Sequence, residues 1–215
     1  MKILNLYACL GGNRYKWDEV ADNLEITAVE LDQEAARLYQ ERFPNDKVIV
    51  ADAHQYLLDH YKEFDFIWSS PPCPTHSRFQ TSMKTIRKME YPDMKLYQEI
   101  LLLQHFFNGR YCVENVIPYY EPLIKAQQRG RHLYWTNFIL PQNINERKNP
   151  DLARDTELIN SLSNFHDYDF RKYKGNQAIN KMARNLVDYE AGRTILETAI
   201  GIIRKLNTNQ QTLEL

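Results

Sequence analysis

Short apolar runs alternate with helical patterns along this 215-residue chain, and that alternation restricts its fold more than any other feature. Runs rich in β-branched and aromatic residues occur at residues 3–6, 26–30, 48–50, 64–69 and 110–113. Between them, apolar positions recur at helical spacing over residues 33–43, 54–61 and 97–107. Strands separated by helices of this length cannot pair as hairpins, so the order predicts an α/β fold: a mostly parallel, doubly wound sheet with helices on both faces. A late strand over residues 132–140 and a closing helix over residues 194–206 would complete it. Residues 141–177 are polar and irregular, with one helix-like stretch at 152–162. The expected organisation is one domain over residues 1–206, with a short insert at 141–181 and a frayed tail at 207–215.

The fourth run, Phe64-Asp65-Phe66-Ile67-Trp68-Ser69-Ser70-Pro71-Pro72-Cys73, leaves its strand through two prolines that fix the backbone. In an open α/β sheet ligands gather outside the carboxyl ends of the strands, so a cysteine delivered there is a candidate nucleophile. A cysteine at such a place also serves as a small apolar filler. Cys9 and Cys112, inside or beside strand-type runs, read as packing residues.

No apolar run approaches the roughly 20 residues that a membrane span needs. Three cysteines without zinc-ligand spacing, and an N-terminus that enters a strand directly, predict a cytoplasmic protein with no metal and no membrane partner. The formal net charge of -1 conceals an asymmetry: residues 18–65 hold 13 Asp or Glu against four Lys or Arg. The rest is correspondingly basic. Arg78, Lys84, Arg87, Lys88 and Lys95 follow Cys73, and Arg171, Lys172, Lys174, Lys181, Arg184 and Arg193 gather toward the C-terminus. Such residues either form a solvated face or contact the phosphates of a nucleic acid, and Arg171, Lys172 and Lys174 are the candidates named for the latter.

Gly11 and Gly12 follow the first strand, where a tight turn lets a backbone approach a ligand, or simply joins strand to helix. Glu30 ends the second strand at an offset suited to accepting hydrogen bonds from ribose hydroxyls. Asp52, past the third strand, either accepts from an adenine amino group or caps the helix that begins at Ala53.

Leu6-Tyr7-Ala8-Cys9-Leu10-Gly11-Gly12, Glu30, Asp52, Pro71-Pro72-Cys73, Glu114-Asn115-Val116 and Arg129-Gly130-Arg131 occur in that order. In this order and combination the chain resembles the cytosine-5 DNA methyltransferases, in a compact, phage-like form, over residues 1–140. A fainter echo runs from Arg184 to Gly201. The resemblance implies S-adenosylmethionine as cofactor, held by Tyr7, Ala8, Cys9, Leu10, Gly11, Gly12, Glu30, Leu31, Asp52, Ala53, Pro71 and Asn185. It implies Cys73 as the nucleophile that adds to carbon 6 of cytosine. Glu114 would act as the acid at ring nitrogen 3, Asn115 would position neighbouring backbone, and Arg131 and Arg129 would hold the base carbonyl and sugar-phosphate. The target base must be flipped out or already single-stranded. Two residues depart from the family pattern: Asn5 replaces an acid, and Cys9 replaces a glycine at a tight place, which bears on cofactor affinity.

The resemblance implies DNA as partner and a bacterial or phage-infected host, with restriction-modification as a context. The insert of about forty residues is too short for a recognition domain of ordinary size, so the loop 78–91, the insert itself or a separate recognition subunit would set target choice. An enzyme acting on RNA or nucleotide cytosine, and a non-catalytic nucleic-acid-binding relative, are the alternatives.

Overall fold

The computed structural model describes residues 1–82, 88–148, 150 and 157–202. Seven strands form one sheet: β1 (Lys2–Leu6), β2 (Glu25–Glu30), β3 (Lys47–Val50), β4 (Phe66–Ser69), β5 (Arg110–Val116), β6 (Gln127–Arg129) and β7 (His132–Thr136). Their order is β3-β2-β1-β4-β5-β7-β6. All pairings from β3 to β5 are parallel, and β7 runs antiparallel to both β5 and β6. The sheet is therefore mostly parallel with one hairpin at its edge. The helices are α1 (Gln33–Arg42), α2 (Ala53–His60), α3 (Phe79–Ser82), α4 (Lys95–Phe106), α5 (Leu158–His166), α6 (Ile179–Asn185) and α7 (Tyr189–Ala199).

Period-two alternation divides the strand residues between the two faces of the sheet. Leu4, Leu6, Val29, Ile67 and Val113 pack with Leu57 of α2 and with Leu96, Ile100 and Leu103 of α4. On the opposite face Ile3, Ile26, Phe66, Trp68 and Cys112 pack with Trp17 and with Ala191, Ile195 and Leu196 of α7, while α1 covers Ala28 through Tyr39. Both faces are covered, as a parallel sheet requires. β4, central between β1 and β5, is buried along its whole length, which is why its sequence is apolar without alternation. Cys112 is completely buried and is a packing residue.

The C-terminal third departs from the sequence expectations. β7 stops at Thr136, and the preceding residues 127–129 form the separate strand β6. The stretch expected to be helical at 152–162 lies partly outside the described residues, and the helix seen there is α5. The closing helix starts at Tyr189, capped by the Asp188 side chain on the Glu190 amide, and residues 203–215 lie outside the described residues. Gly192 looks like a helix breaker, yet it lies inside α7. A Cβ there would stand 2.2 Å from the Asn13 carbonyl oxygen, so its lack of a side chain is what lets α7 lie against the loop after β1.

The insert is not loose. Leu162, Phe170, Tyr173, Met182 and Leu186 form a core with Leu10, Ala35 and Leu38, so α5 and α6 pack against α1 and the end of β1. His166 is buried within this layer, and burial, reinforced by Arg147 and Arg42, pushes its pKa down to about 3. A neutral imidazole is thus favoured in the folded chain. Its contribution to stability is present above the unfolded value near 6.5 and is lost as pH falls through the window down to about 3. Melting temperature should fall over that window more steeply in the wild type than in His166→Gln; parallel curves would contradict the assignment. No described helix is long and apolar enough to cross a membrane.

Candidate active site

The chain leaves β1 through a backbone that is costly to hold. Tyr7, Cys9 and Gly11 adopt φ of 55°, 47° and 70°, the left-handed region that costs a residue with a side chain on the order of 1 kcal/mol. Only Gly11 is free of that cost, and a Cβ there would also strike the Tyr39 and Phe43 rings. Carboxylates hold the other two turns. The Cys9 amide donates to Glu30 Oε2 at 2.8 Å, and the Tyr7 hydroxyl donates to Glu99 Oε1 at 2.6 Å. Tyr7, Ala8, Cys9 and Gly12 then line a cavity of about 700 Å³ at the carboxyl edge of the sheet. Leu10 is completely buried in the layer under the insert, and neither it nor Gly11 belongs to the cavity wall, so these two shape the loop from beneath.

Glu30 closes β2 with both oxygens engaged: Oε1 accepts from the Asp32 amide at 2.9 Å while Oε2 holds Cys9. Burial pushes its pKa up, and the two amides pull against that shift. Leu31 beside it is 68% exposed, an apolar side chain on the cavity wall next to a carboxylate. Asp32 caps α1 through the Glu34 and Ala35 amides. Asp52 caps α2 by accepting from the Gln55 amide at 2.9 Å, and Lys95 stands 3.6 Å from its other oxygen. The amide and the cation hold the Asp52 pKa low. Capping and facing the cavity are compatible, because Asp52 and Ala53 both line it.

Beyond β4, Pro71, Cys73 and the end of β5 meet across the same space. The Asn115 side-chain amide donates to the Pro71 carbonyl at 2.9 Å, and its oxygen accepts from the Val116 amide. Asn115 therefore fastens the proline turn to β5. The Cys73 carbonyl accepts from the amides of His76 and Ser77, each at 3.0 Å, which sets the tight turn that carries the thiol. Burial and then the Glu114 carboxylate raise the Cys73 pKa, and Lys181 opposes them.

Glu114 is 8% exposed. His132 Nε2 lies 3.7 Å from Glu114 Oε1, and His132 Nδ1 lies 3.1 Å from Glu146 Oε1, an ion-pair distance without hydrogen-bond alignment. Burial alone would lower the His132 pKa, but the two carboxylates outweigh it and raise it.

The two arginines of the Arg-x-Arg segment diverge. Arg131 lines the cavity. Arg129 does not: its guanidinium donates to the carbonyls of Gln128, Leu140 and Pro141, locking the chain that follows β7. Residues two apart on a straight strand would share a face, and the two part because the hairpin turn at Gly130 falls between them.

Asn185 lines the cavity from the end of α6, together with Lys181 and Arg184. Sequence reasoning did not single out His132, Glu146, Gln177, Lys181 or Arg184 as site residues. Their signal was weak: His132 adjoins the Arg-x-Arg segment, while Lys181 and Arg184 were two among many basic residues. Much of the remaining basic charge is turned inward upon the chain. Lys172 pairs with Glu41 at 3.0 Å, Arg193 with Glu19 at 2.8 Å, and Arg171 with Asp169 at 3.4 Å. The Lys174 amide lies over Glu34. Lys172 and the Lys174 backbone thus meet the outside of α1, and Arg171 stays with Asp169 and Asn160, whereas among the described residues Arg131, Lys181 and Arg184 make no ion pair and line the cavity. Lys84 and Arg87, in the loop 78–91, lie outside the described residues.

Residues 1–103 match the family described as C-5 cytosine-specific DNA methylase. No curated protein sequence matches the chain. Among solved structures, the Entamoeba histolytica methyltransferase EhMeth superposes with a TM-score of 0.55 at 10% identity, covering 95% of this chain and 99% of that one. This likeness shows the methyltransferase fold. The Spodoptera frugiperda DNMT2 is 26% identical with a TM-score of 0.39, over 54% of this chain and 35% of the other. This chain thus matches only about a third of the length of that protein.

The raised Cys73 pKa gives an immediate expectation. Iodoacetamide should alkylate Cys73 with a pH midpoint above that of a free thiol, read by peptide mass spectrometry. Glu114→Gln, which removes the opposing charge, should lower that midpoint and speed alkylation at a given pH. A midpoint at or below the free-thiol value would contradict the geometry.

Proposed function

We propose that this chain, whose residues 1–103 belong to the C-5 cytosine-specific DNA methylase family, methylates carbon 5 of cytosine in DNA. One observation carries this reading: the nucleophile Cys73, the acid Glu114 and the cofactor-type residues Glu30 and Asp52 all line one cavity. S-adenosylmethionine fits the residues present. Glu30 and Asp52 offer carboxylate oxygens, Leu31 an apolar surface, and residues 7–9 a backbone held open by positive φ. When bound, it supplies an electrophilic methyl group on a sulfonium.

The chain's own residues prepare the base. Cytosine carbon 5 is weakly nucleophilic. When the Cys73 thiolate bonds to carbon 6, the 5,6 π pair shifts to the 4,5 bond and the 3,4 pair onto nitrogen 3, so carbon 5 becomes enamine-like. Negative charge reaching nitrogen 3 is relieved by the proton that the Cys73 thiol gives up, delivered there by the Glu114 carboxylate. Asn115 keeps the Cys73 turn fixed during this addition, and Arg131, on the cavity wall, holds the base carbonyl and sugar-phosphate. Once carbon 5 carries the methyl group, transfer of its proton to water restores the 5,6 π bond and expels the Cys73 sulfur as thiolate. A stacked base cannot enter such a cavity, so the substrate base is extruded or single-stranded. Residues 158–186 build a layer over α1 and the cofactor-type loop, which supports reading target choice as short-range or as the work of a second subunit.

Incubation with methyl-labelled cofactor and duplex DNA, single-stranded DNA or RNA, followed by nucleoside analysis, tests this reading. Label should appear as 5-methylcytosine from DNA. Cys73→Ser should reduce turnover by at least about a thousandfold, while Cys112→Ser should retain it. Label found only in RNA would move the activity to the alternative substrate, and label absent from all three would remove the enzyme reading.

A further inference from the structure

Glu99 stands inside the apolar face of α4, flanked by the core residues Leu96, Ile100 and Leu103, and is completely buried. A carboxylate there is costly unless its oxygens are fully hydrogen-bonded. Three groups meet that need. Oε1 accepts from the Tyr7 hydroxyl at 2.6 Å and stands 3.0 Å from His54 Nδ1, and Oε2 accepts from the Ser69 hydroxyl at 2.6 Å.

The origins of these three groups matter more than their number. Tyr7 is the first residue after β1 and the first strained residue of the loop. His54 lies in the first turn of α2, next to Asp52 and Ala53. Ser69 ends β4, four residues before Cys73. One carboxylate thus ties together the carboxyl ends of β1, β3 and β4. Each of its oxygens serves a different side: Oε1 the cofactor-type residues, Oε2 the strand that delivers the nucleophile. Glu99, His54 and Ser69 are outside the cavity wall, whereas Tyr7, Asp52, Ala53 and Cys73 are on it.

We propose that Glu99 is a positioning residue that couples the cofactor loop to the cysteine turn, so that each side's geometry depends on the other. The inference rests on the functional reading above. A bare structural role for Glu99 would be to satisfy its own burial. Coupling requires more: a change at Ser69, which touches no cavity, must be felt at the cofactor.

Calorimetry with S-adenosylhomocysteine on the full chain tests this, with melting temperature recorded alongside. Ser69→Ala should weaken binding roughly five- to tenfold, the effect of one buried hydrogen bond. Ser69→Thr, which restores the hydroxyl, should recover most of that loss. In a Glu99→Gln background, Ser69→Ala should add less than twofold, because the shared acceptor has already been altered. If Glu99→Gln fails to fold, the Ser69 pair alone decides. Binding within twofold of wild type in Ser69→Ala, with only the melting temperature lowered, would overturn the coupling. A wild-type chain that binds no S-adenosylhomocysteine would remove the functional reading and this inference with it, an outcome seen before any variant is made.

Discussion

Everything at the carboxyl edge of this sheet depends on holding a short loop in a conformation that its own residues disfavour. Tyr7 and Cys9 both carry side chains at positive φ, and a free chain would relax away from that arrangement. Two carboxylates prevent it: Glu30 from the end of β2 on the Cys9 amide, and Glu99 from α4 on the Tyr7 hydroxyl. The strain at these residues is thereby offset by short hydrogen bonds to carboxylates. The loop is preorganised before any ligand arrives. Cys9, where the family pattern has glycine, is accommodated because Glu30 grips its backbone rather than its side chain.

The charge distribution has a different meaning in three dimensions than along the chain. The acidic stretch 18–65 and the basic C-terminal third attract one another, as in Lys172 with Glu41 and Arg193 with Glu19. Exposed pairs of this kind add little stability, yet they use up positive charge that would otherwise serve a polyanion. Among the described residues, Arg131, Lys181 and Arg184 line the cavity that holds Cys73 and stand outside any ion pair.

The sheet was legible in the sequence because it rests on local rules. Short apolar runs and helical spacing mark β1 to β5 without knowledge of distant contacts, whereas Glu30, Asp52 and Cys73 stand out only through the combined order of motifs, and the structure puts all three on one cavity wall. The C-terminal third was not legible for the same reason. Gly192 looks like a breaker until Asn13 is seen against it. Arg129 reads as a twin of Arg131 until the hairpin turns it toward the Leu140 carbonyl. Glu99 reads as one polar residue on an amphipathic helix, and only the meeting of three strand ends gives it a role. His132 and Glu146 come together across 14 residues of chain that carry no motif.

The central claim, that Cys73 bonds to the target base while Glu114 serves it from the same cavity, is tested most directly by trapping. DNA containing 5-fluorocytosine, incubated with the protein and S-adenosylmethionine, cannot lose the carbon 5 substituent that releases the sulfur. Peptide mapping of the adduct should place the nucleotide on Cys73, with the yield lowered in Glu114→Gln. An adduct on Cys9 or Cys112, or none under conditions where methyl transfer to unmodified DNA proceeds, would contradict the account.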